Sequence, residues 1–407
     1  MSVESILDKS AAGRELTSEE GAALFADFPA YQKMYRDFYD HPLFEGYWKQ
    51  RGFYTAGYFK EMKDVPTIFV SGWYDFFLQG VLEDYLALSK SQKTAQRLLI
   101  GPWPHGIGTG ECGDAAFGPG TIEDQGLLIA DWFDHWMGRS AGFGHLGSDP
   151  VRIFRMGGGD GTRTERHKLN HGGEWSGASR WPLPGARPAK YYLQGDGTLD
   201  PSTPPDSSPS RFEFDPQHPV PTIGGSAQIP GTPSCVQDQV CLPRIPGCKD
   251  ALPLNLRADV LSYSTALLER AVDVTGEIEA HLWISSDAPD TDFTAKLIDV
   301  YPNGYAFILA DGELRARYRE AFEASQLLRP GAVYPIAIRL GATSNLFGVG
   351  HRIRLDISSS NFPKFLPNPN TGGAMGDWGR PRKARNAVYH DPKHASYVVL
   401  PTVVDAR

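Results

Sequence analysis

The 407-residue sequence predicts an α/β segment followed by an all-β domain. Three observations carry this. First, "VPTIFVSG" and "QRLLIGPW" are almost wholly apolar, as strands of a parallel sheet covered on both faces must be, and each precedes a helical pattern. Second, beyond about Pro182 strand–helix alternation gives way to a period of two, the mark of half-buried strands. Third, 44 Gly and 32 Pro punctuate the chain densely enough for many short strands and turns.

Residues 1–62 read as helical. "LTSEEGAALFADF" offers Thr17 or Ser18 as an N-cap with acids in the first turn. The aromatics of "YQKMYRDFYDHPLFEGYWKQRGFY" are dense enough to pack on another surface or line a pocket. Next, "LQGVLEDYLALSK" follows the first apolar strand as an amphipathic helix, and "TIEDQGLLIADWFDHWM" follows the second after a Gly-rich loop. "PVRIFRMGG" is one more strand. In the all-β part, "IEAHLWIS" sets Ile278, Ala280, Leu282 and Ile284 on one face against Glu279, His281 and Trp283. "HRIRLDISSS" sets Ile353, Leu355 and Ile357 against Arg352, Arg354 and Asp356. "FTAKLIDV", "VYPIAIRL" and "SYVVLPTVV" are further strands, together expected to form a β-sandwich.

Net charge is −8 with no run of Lys or Arg, which makes nucleic acid an unsuitable partner. No apolar stretch has the roughly 18 residues of a membrane helix. The opening residues lack a basic segment followed by an apolar core, so a cytoplasmic location is expected. Cys235, Cys241 and Cys248 lie close together in a Pro-rich stretch. They read as free thiols in an irregular loop, with a disulfide among them left open; zinc is not expected, because no C-x2-C pair or neighbouring His completes a ligand set. No cofactor or metal is implied.

Asp75, in "VSGWYDFF", and His105, in "LIGPWPHG", each stand just past the carboxyl end of an apolar strand. In an open α/β sheet that is where functional groups gather. A carboxylate orienting an imidazole is the back half of a Ser-His-Asp triad, and acid before base is the α/β-hydrolase order. The alternative, an Asp and a His that merely cap loops, is open on spacing alone.

The words "VPTIFVSGWYDFF", "RLLIGPWPHG", "WFDHWMGR", "PVRIFRMGG", "WPLPGARPAKYYL", "SSDAPDTDFTAKLIDVYPNG", "DGELRARYRE" and "GHRIRLDISSSNFPKF" together resemble the CocE/NonD hydrolase family, which is similar to X-Pro dipeptidyl-peptidases and α-amino acid ester hydrolases. The resemblance runs from about Asp40 to the C-terminus. It implies a helical cap remnant over residues 1–62, part of an α/β-hydrolase sheet over 63–181 and a galactose-binding-like jelly-roll sandwich over 182–407. It also implies Asp75 as triad acid and His105 as triad base. Phe77 and Trp73 would line the substrate pocket, with Gln228 and Ile229 approaching it from the loop after "VPTIGG".

The same resemblance lacks its nucleophile. The family's Ser sits in a G-x-S-Y-x-G elbow before cap and acid, and no counterpart is present. The one G-x-S-x-G match, "GRSAG" around Ser140, follows His105 and trails a helix, whereas an elbow needs a strand before it. Cys112 in "GECGD" lacks the second Gly, Ser71 reads as a packing residue within its strand, and His135 reads as a structural hydrogen-bonder. Two functions are therefore expected to compete. The chain is either the acid- and base-bearing C-terminal portion of a serine hydrolase acting on esters or peptides, its elbow supplied by a separate chain or an upstream segment, or a non-catalytic remnant whose sandwich binds or assembles, for instance as a homo-oligomer.

Overall fold

In the computed structural model residues 18–403 are described, apart from 107–109, 122–123, 228, 230–231, 233, 249–250 and 376. Two short helices come first among the described residues, α1 (Ser18–Ala23) and α2 (Pro29–Asp40). Ser18 begins α1, while Thr17 lies outside the described residues. No residue of α2 is buried. The aromatics that follow stack on one another instead, Phe38 on Trp48 at 5.5 Å and His41 on Tyr47 at 4.2 Å between ring centroids. The expected helical run to residue 62 is interrupted: Pro42 and Gly46 break it, and residues 43–53 are bends and turns before a 3₁₀ segment, Thr55–Glu61.

The two apolar runs form β1 (Thr67–Gly72) and β2 (Gln96–Gly101), paired in parallel with Val70 opposite Leu99. The helix α3 (Leu78–Ser91) crosses between them and buries Leu78, Leu82, Tyr85 and Leu88 at helical spacing. A third parallel strand, β3 (Val151–Gly157), lies on the far side of β2, and α4 (Gln125–Trp136) precedes it. Asp124 caps α4, its carboxylate accepting from the backbone N–H of Gly126 and Leu127. A hairpin partner, β4 (Gly173–Ala178), runs antiparallel to β3.

The sheet does not stop where the sequence period changes. Met156 and Gly157 of β3 pair in parallel with Asn345 and Leu346 of β11 (Tyr334–Phe347). β11 then pairs with β8 (Val272–Ser286), β8 with β14 (Tyr397–Val403), and β14 with β5 (Ala186–Leu193). One end of β8 also pairs with β13 (Ala384–Asp391), which pairs with β6 (Ser210–Phe214). A second sheet has four strands, in the order β7 (Leu261–Ser264), β12 (Arg352–Ser358), β9 (Asp292–Val300) and β10 (Ala306–Arg315). The two sheets face each other over one core, in which Ile278, Ala280, Leu282 and Ile284 of β8 meet Phe293, Leu297, Phe307 and Leu355. The alternation read from "IEAHLWIS" is the alternation of burial along β8.

Two expectations are corrected. Arg354 and Asp356, assigned to the open face of their strand, are buried. The irregular excursion through Val220, Cys241, Ile245, Leu254 and Val260 has its own small core and roofs that face. The cysteines, read as free thiols, are paired: Cys241 with Cys248 inside the excursion, and Cys112 with Cys235 across 123 residues of sequence, Cα atoms 5.5 Å apart. The second pair could not be read from spacing, because its partner lies in the loop after His105. Among the described residues no helix is long and apolar enough to cross a membrane.

Candidate active site

β1 ends on Gly72 because the chain beyond β2 passes directly over it: a Cβ at Gly72 would collide with the Trp103 carbonyl. The turn after β1 is stitched to that crossing segment, Trp73 N–H donating to Gly101 O at 2.9 Å and Tyr74 N–H to Trp103 O at 3.0 Å. Asp75 therefore lies beside the segment that carries His105. Trp73 is buried, its indole N–H donating to Phe154 O at 2.7 Å, and Tyr74 reaches Ile308 O of the four-stranded sheet at 2.9 Å. Both anchors fix the turn from below.

His105 Nδ1 is 3.3 Å from each oxygen of the Asp75 carboxylate. The carboxylate is buried and further fixed by the Ser71 hydroxyl at 3.1 Å and the Phe77 N–H at 2.9 Å, the latter also satisfying a donor at the start of α3. The imidazole is 53% exposed at its side chain and edged by Phe76 and Phe77, centroids 5.1 and 5.2 Å away. A buried, multiply hydrogen-bonded acid holding an accessible imidazole through Nδ1 leaves Nε2 outward for proton transfer.

A cleft of about 390 Å³ opens beside Asp75; His105 is not among the residues that line it. Trp73, Asp75 and Phe76 line one side; Ser226, Asp311 and Lys364 of the β-rich part line the other. Phe76 and Trp73 face the cleft, whereas Phe77 covers the imidazole and is not among the cleft-lining residues. Ile229 is half-buried, its carbonyl accepting from Thr232 N–H, and lies outside the lining; Gln228 is outside the described residues. Ser140 sits in an exposed turn after α4, its hydroxyl bonded to Gly142 O at 3.0 Å. Cys112 is consumed by its disulfide. His135 packs its ring on Phe143 at 3.8 Å, and its Nδ1 finds no hydrogen-bond partner among the described residues, so it packs rather than bonds.

Ser71 was missed as a site residue. Its hydroxyl lies on the side chain four positions before Asp75, and the sharp turn between brings the two together. Asp311 and Lys364 were missed too. They lie 236 and 289 positions beyond Asp75, and no local pattern links them. Among the described residues no cluster of His, Cys, Asp and Glu has the arrangement of a metal site.

A strand-end carboxylate holding an imidazole at the carboxyl edge of a parallel sheet is an arrangement in which serine hydrolases place an acid and a base. Comparison with known proteins gives the family. Residues 146–399 match the X-Pro dipeptidyl-peptidase C-terminal non-catalytic domain, and residues 4–107 match X-Pro dipeptidyl-peptidase (S15 family). The chain is 36% identical over 353 residues to cocaine esterase of Rhodococcus sp. (strain MB1 Bresler), covering 83% of this chain and 56% of that protein. An α-amino acid ester hydrolase structure superposes with a TM-score of 0.76 at 23% identity, over 95% of this chain and 63% of that one. A CocE/NonD family hydrolase from Staphylococcus aureus superposes with a TM-score of 0.60 at 16% identity, over 95% and 62%. The chain belongs to the CocE/NonD family of serine esterase and X-Pro dipeptidyl-peptidase type hydrolases. It spans about half the length of the curated relatives it matches.

Proposed function

We propose that this chain supplies the acid and base of a serine hydrolase that cleaves ester or amide acyl bonds, with esterase or X-Pro dipeptidyl-peptidase-like specificity. Asp75 holds the imidazole with its proton on Nδ1. Nε2 of His105 takes the nucleophile's proton and returns it to the leaving group. The observation that supports this is the His105–Asp75 geometry, 3.3 Å to each carboxylate oxygen with the acid buried and the base accessible. Among the described residues the hydroxyl that reaches the pair is that of Ser71, and it bonds the acid, not the base. The nucleophile and oxyanion donors in this reading lie on further polypeptide, upstream or on a separate chain. The outer edge of β1, with no paired strand among the described residues, favours such a companion. The two facing sheets are read as the family's jelly roll, and Trp73, Phe77, Gln228 and Ile229 as contributors to substrate binding.

Adding a segment that carries the G-x-S-Y-x-G elbow, by fusion or co-expression, tests the proposal. Fluorophosphonate labelling and ester turnover are expected to arise together, and both should disappear in His105→Ala and Asp75→Asn. Labelling of Ser140 in the chain alone would overturn it. The second reading, a non-catalytic module, is favoured by the match of residues 146–399 to a domain described as non-catalytic; it predicts no turnover under any complementation. Location follows the cysteines. Two disulfides persist in oxidising compartments, which weighs against the cytoplasm.

A further inference from the structure

We propose that Ser226 and Lys364 form a donor pair in the cleft wall that selects substrates carrying an uncharged hydrogen-bond acceptor, an ester or amide carbonyl, beside an apolar group. The inference rests on reading the cleft as the substrate site.

Lys364 lies in the segment after β12, its ammonium 2.8 Å from Asp311 Oδ1 and 2.9 Å from Ser226 Oγ. Asn361 donates to the other oxygen of Asp311 at 2.7 Å. An ammonium has three protons and only donates. Two are directed at Asp311 and Ser226, leaving one. Because Ser226 Oγ accepts from Lys364, its own proton is left to donate. Both residues line the cleft, with the ammonium 5.2 Å from the Phe365 ring centroid, and in this proposal both remaining protons are offered to a ligand there.

Charge decides what they bind. Lys364 is neutralised by Asp311, with side chains 15% and 3% exposed. Burial, reinforced by the neighbouring Asp292 carboxylate, pushes Glu313 on the same wall well above the ordinary carboxylate range. Arg339 at the rim is paired with Glu83 at 3.3 Å. The wall thus offers donors without net positive charge. A carboxylate entering beside Asp311 would be desolvated and repelled by it, whereas a carbonyl would be satisfied. The remaining lining is apolar and aromatic, with Trp73, Phe76, Phe322 and Phe365.

The wall is also tied to the base. Gly225 exchanges both backbone hydrogen bonds with Cys235, at 2.7 and 2.9 Å, and Cys235 is joined to Cys112 in the loop that follows His105. Asp114 N–H donates to Val236 O at 2.7 Å beside it. The donor pair and the imidazole are therefore held to one frame.

The test measures binding, without turnover. Fluorine NMR of 4-fluorophenylacetamide, 4-fluorophenylacetate and 1-ethyl-4-fluorobenzene with this chain gives three affinities. The amide is expected to bind at least about tenfold tighter than the carboxylate. Ser226→Ala and Lys364→Met are each expected to weaken the amide by roughly tenfold, the worth of one hydrogen bond, while the ethylbenzene changes less than about twofold. Ser226→Thr restores amide binding. Ser226→Ala keeps the Lys364–Asp311 pair, so it remains informative if Lys364→Met fails to fold. Absence of amide binding to the native chain, equal binding of the carboxylate, or an amide affinity unmoved in Ser226→Ala would overturn the proposal. Failure of complementation to yield hydrolysis would sink the proposed function and leave this result standing.

Discussion

The parallel sheet and the β-rich part bury themselves to different degrees. In β9 every residue except the last is buried, and in β8 each core-facing side chain from Ile278 to Ile284 is at most 1% exposed. In β1 only the last two residues are buried, and Val70 is 37% exposed beside Ile129 at 50% and Phe133 at 51%. Pro66, Ile68 and Val70 of this edge face Leu128, Ile129 and Phe133 of α4 across an apolar groove. A two-sheet sandwich supplies both walls of its own core. A parallel sheet needs a neighbour on each edge and helices on both faces; here α3 covers the face of Phe69, Leu98 and Ile100 and α4 the face of Ile68 and Leu99, while the outer edge of β1 has no paired strand among the described residues. Completeness is a property of each core, not of the chain.

The seam between the regions is where that comparison breaks most sharply. His171 is fully buried there, stacked on Phe307 at 3.9 Å and bonded to Asn345 Oδ1 at 2.8 Å and to the Tyr301 hydroxyl. Burial lowers its pKa to about 3. A base with a depressed folded pKa binds its proton in the unfolded chain first. Its contribution to stability is therefore complete above pH 6.5 and is lost as pH falls toward 3, by about 4–5 kcal/mol. Asp299 beside Asn345, raised by burial, acts with the opposite sign. The expected measurement is therefore the difference in acid unfolding between the wild type and His171→Gln, which should show a flatter profile. Parallel profiles would mean that the seam does not sense acid.

Within the sandwich, Phe293→Ala should cost about 3–5 kcal/mol in denaturant unfolding, since the ring is fully buried. An equal cost for Ile68→Ala in β1 would erase the contrast drawn above. Asp75→Ala should cost roughly 1–3 kcal/mol, because Ser71 and the Phe77 N–H lose a buried acceptor; His105→Ala should change stability by less than about 0.5 kcal/mol. Smallest in stability, Val70→Lys should leave the unfolding midpoint almost unmoved while reducing concentration-dependent self-association in sedimentation, the remedy natural sheets use on open edges.

What was legible followed from local periodicity. The strand–helix order, the alternation of β8 and the placement of Asp75 and His105 needed only neighbours within a few residues. Three features were not. The continuity of one sheet through Met156 and Asn345 depends on partners far apart in sequence. Burial of Arg354 and Asp356 depends on an irregular excursion whose course no periodicity encodes. The cleft wall of Asp311 and Lys364 depends on how the sandwich docks against the turn at Trp73, a matter of tertiary packing alone. Ser71 shows the intermediate case: near in sequence, yet readable only once the turn is drawn.

The Cys112–Cys235 bond also sets how the chain answers force. Its ends are 123 positions apart and enclose the whole of α4, β3 and β4. Pulled from its termini, the oxidised protein cannot pay out that stretch however far its sheets unravel, and roughly 400 Å of contour stays hidden. A reductant releases that length in one step. The oxidised and reduced molecules therefore differ in extensible length, and nearly all of the difference is held by this one bond, since Cys241–Cys248 spans only 7 positions. That bond sits on the loop that follows the base.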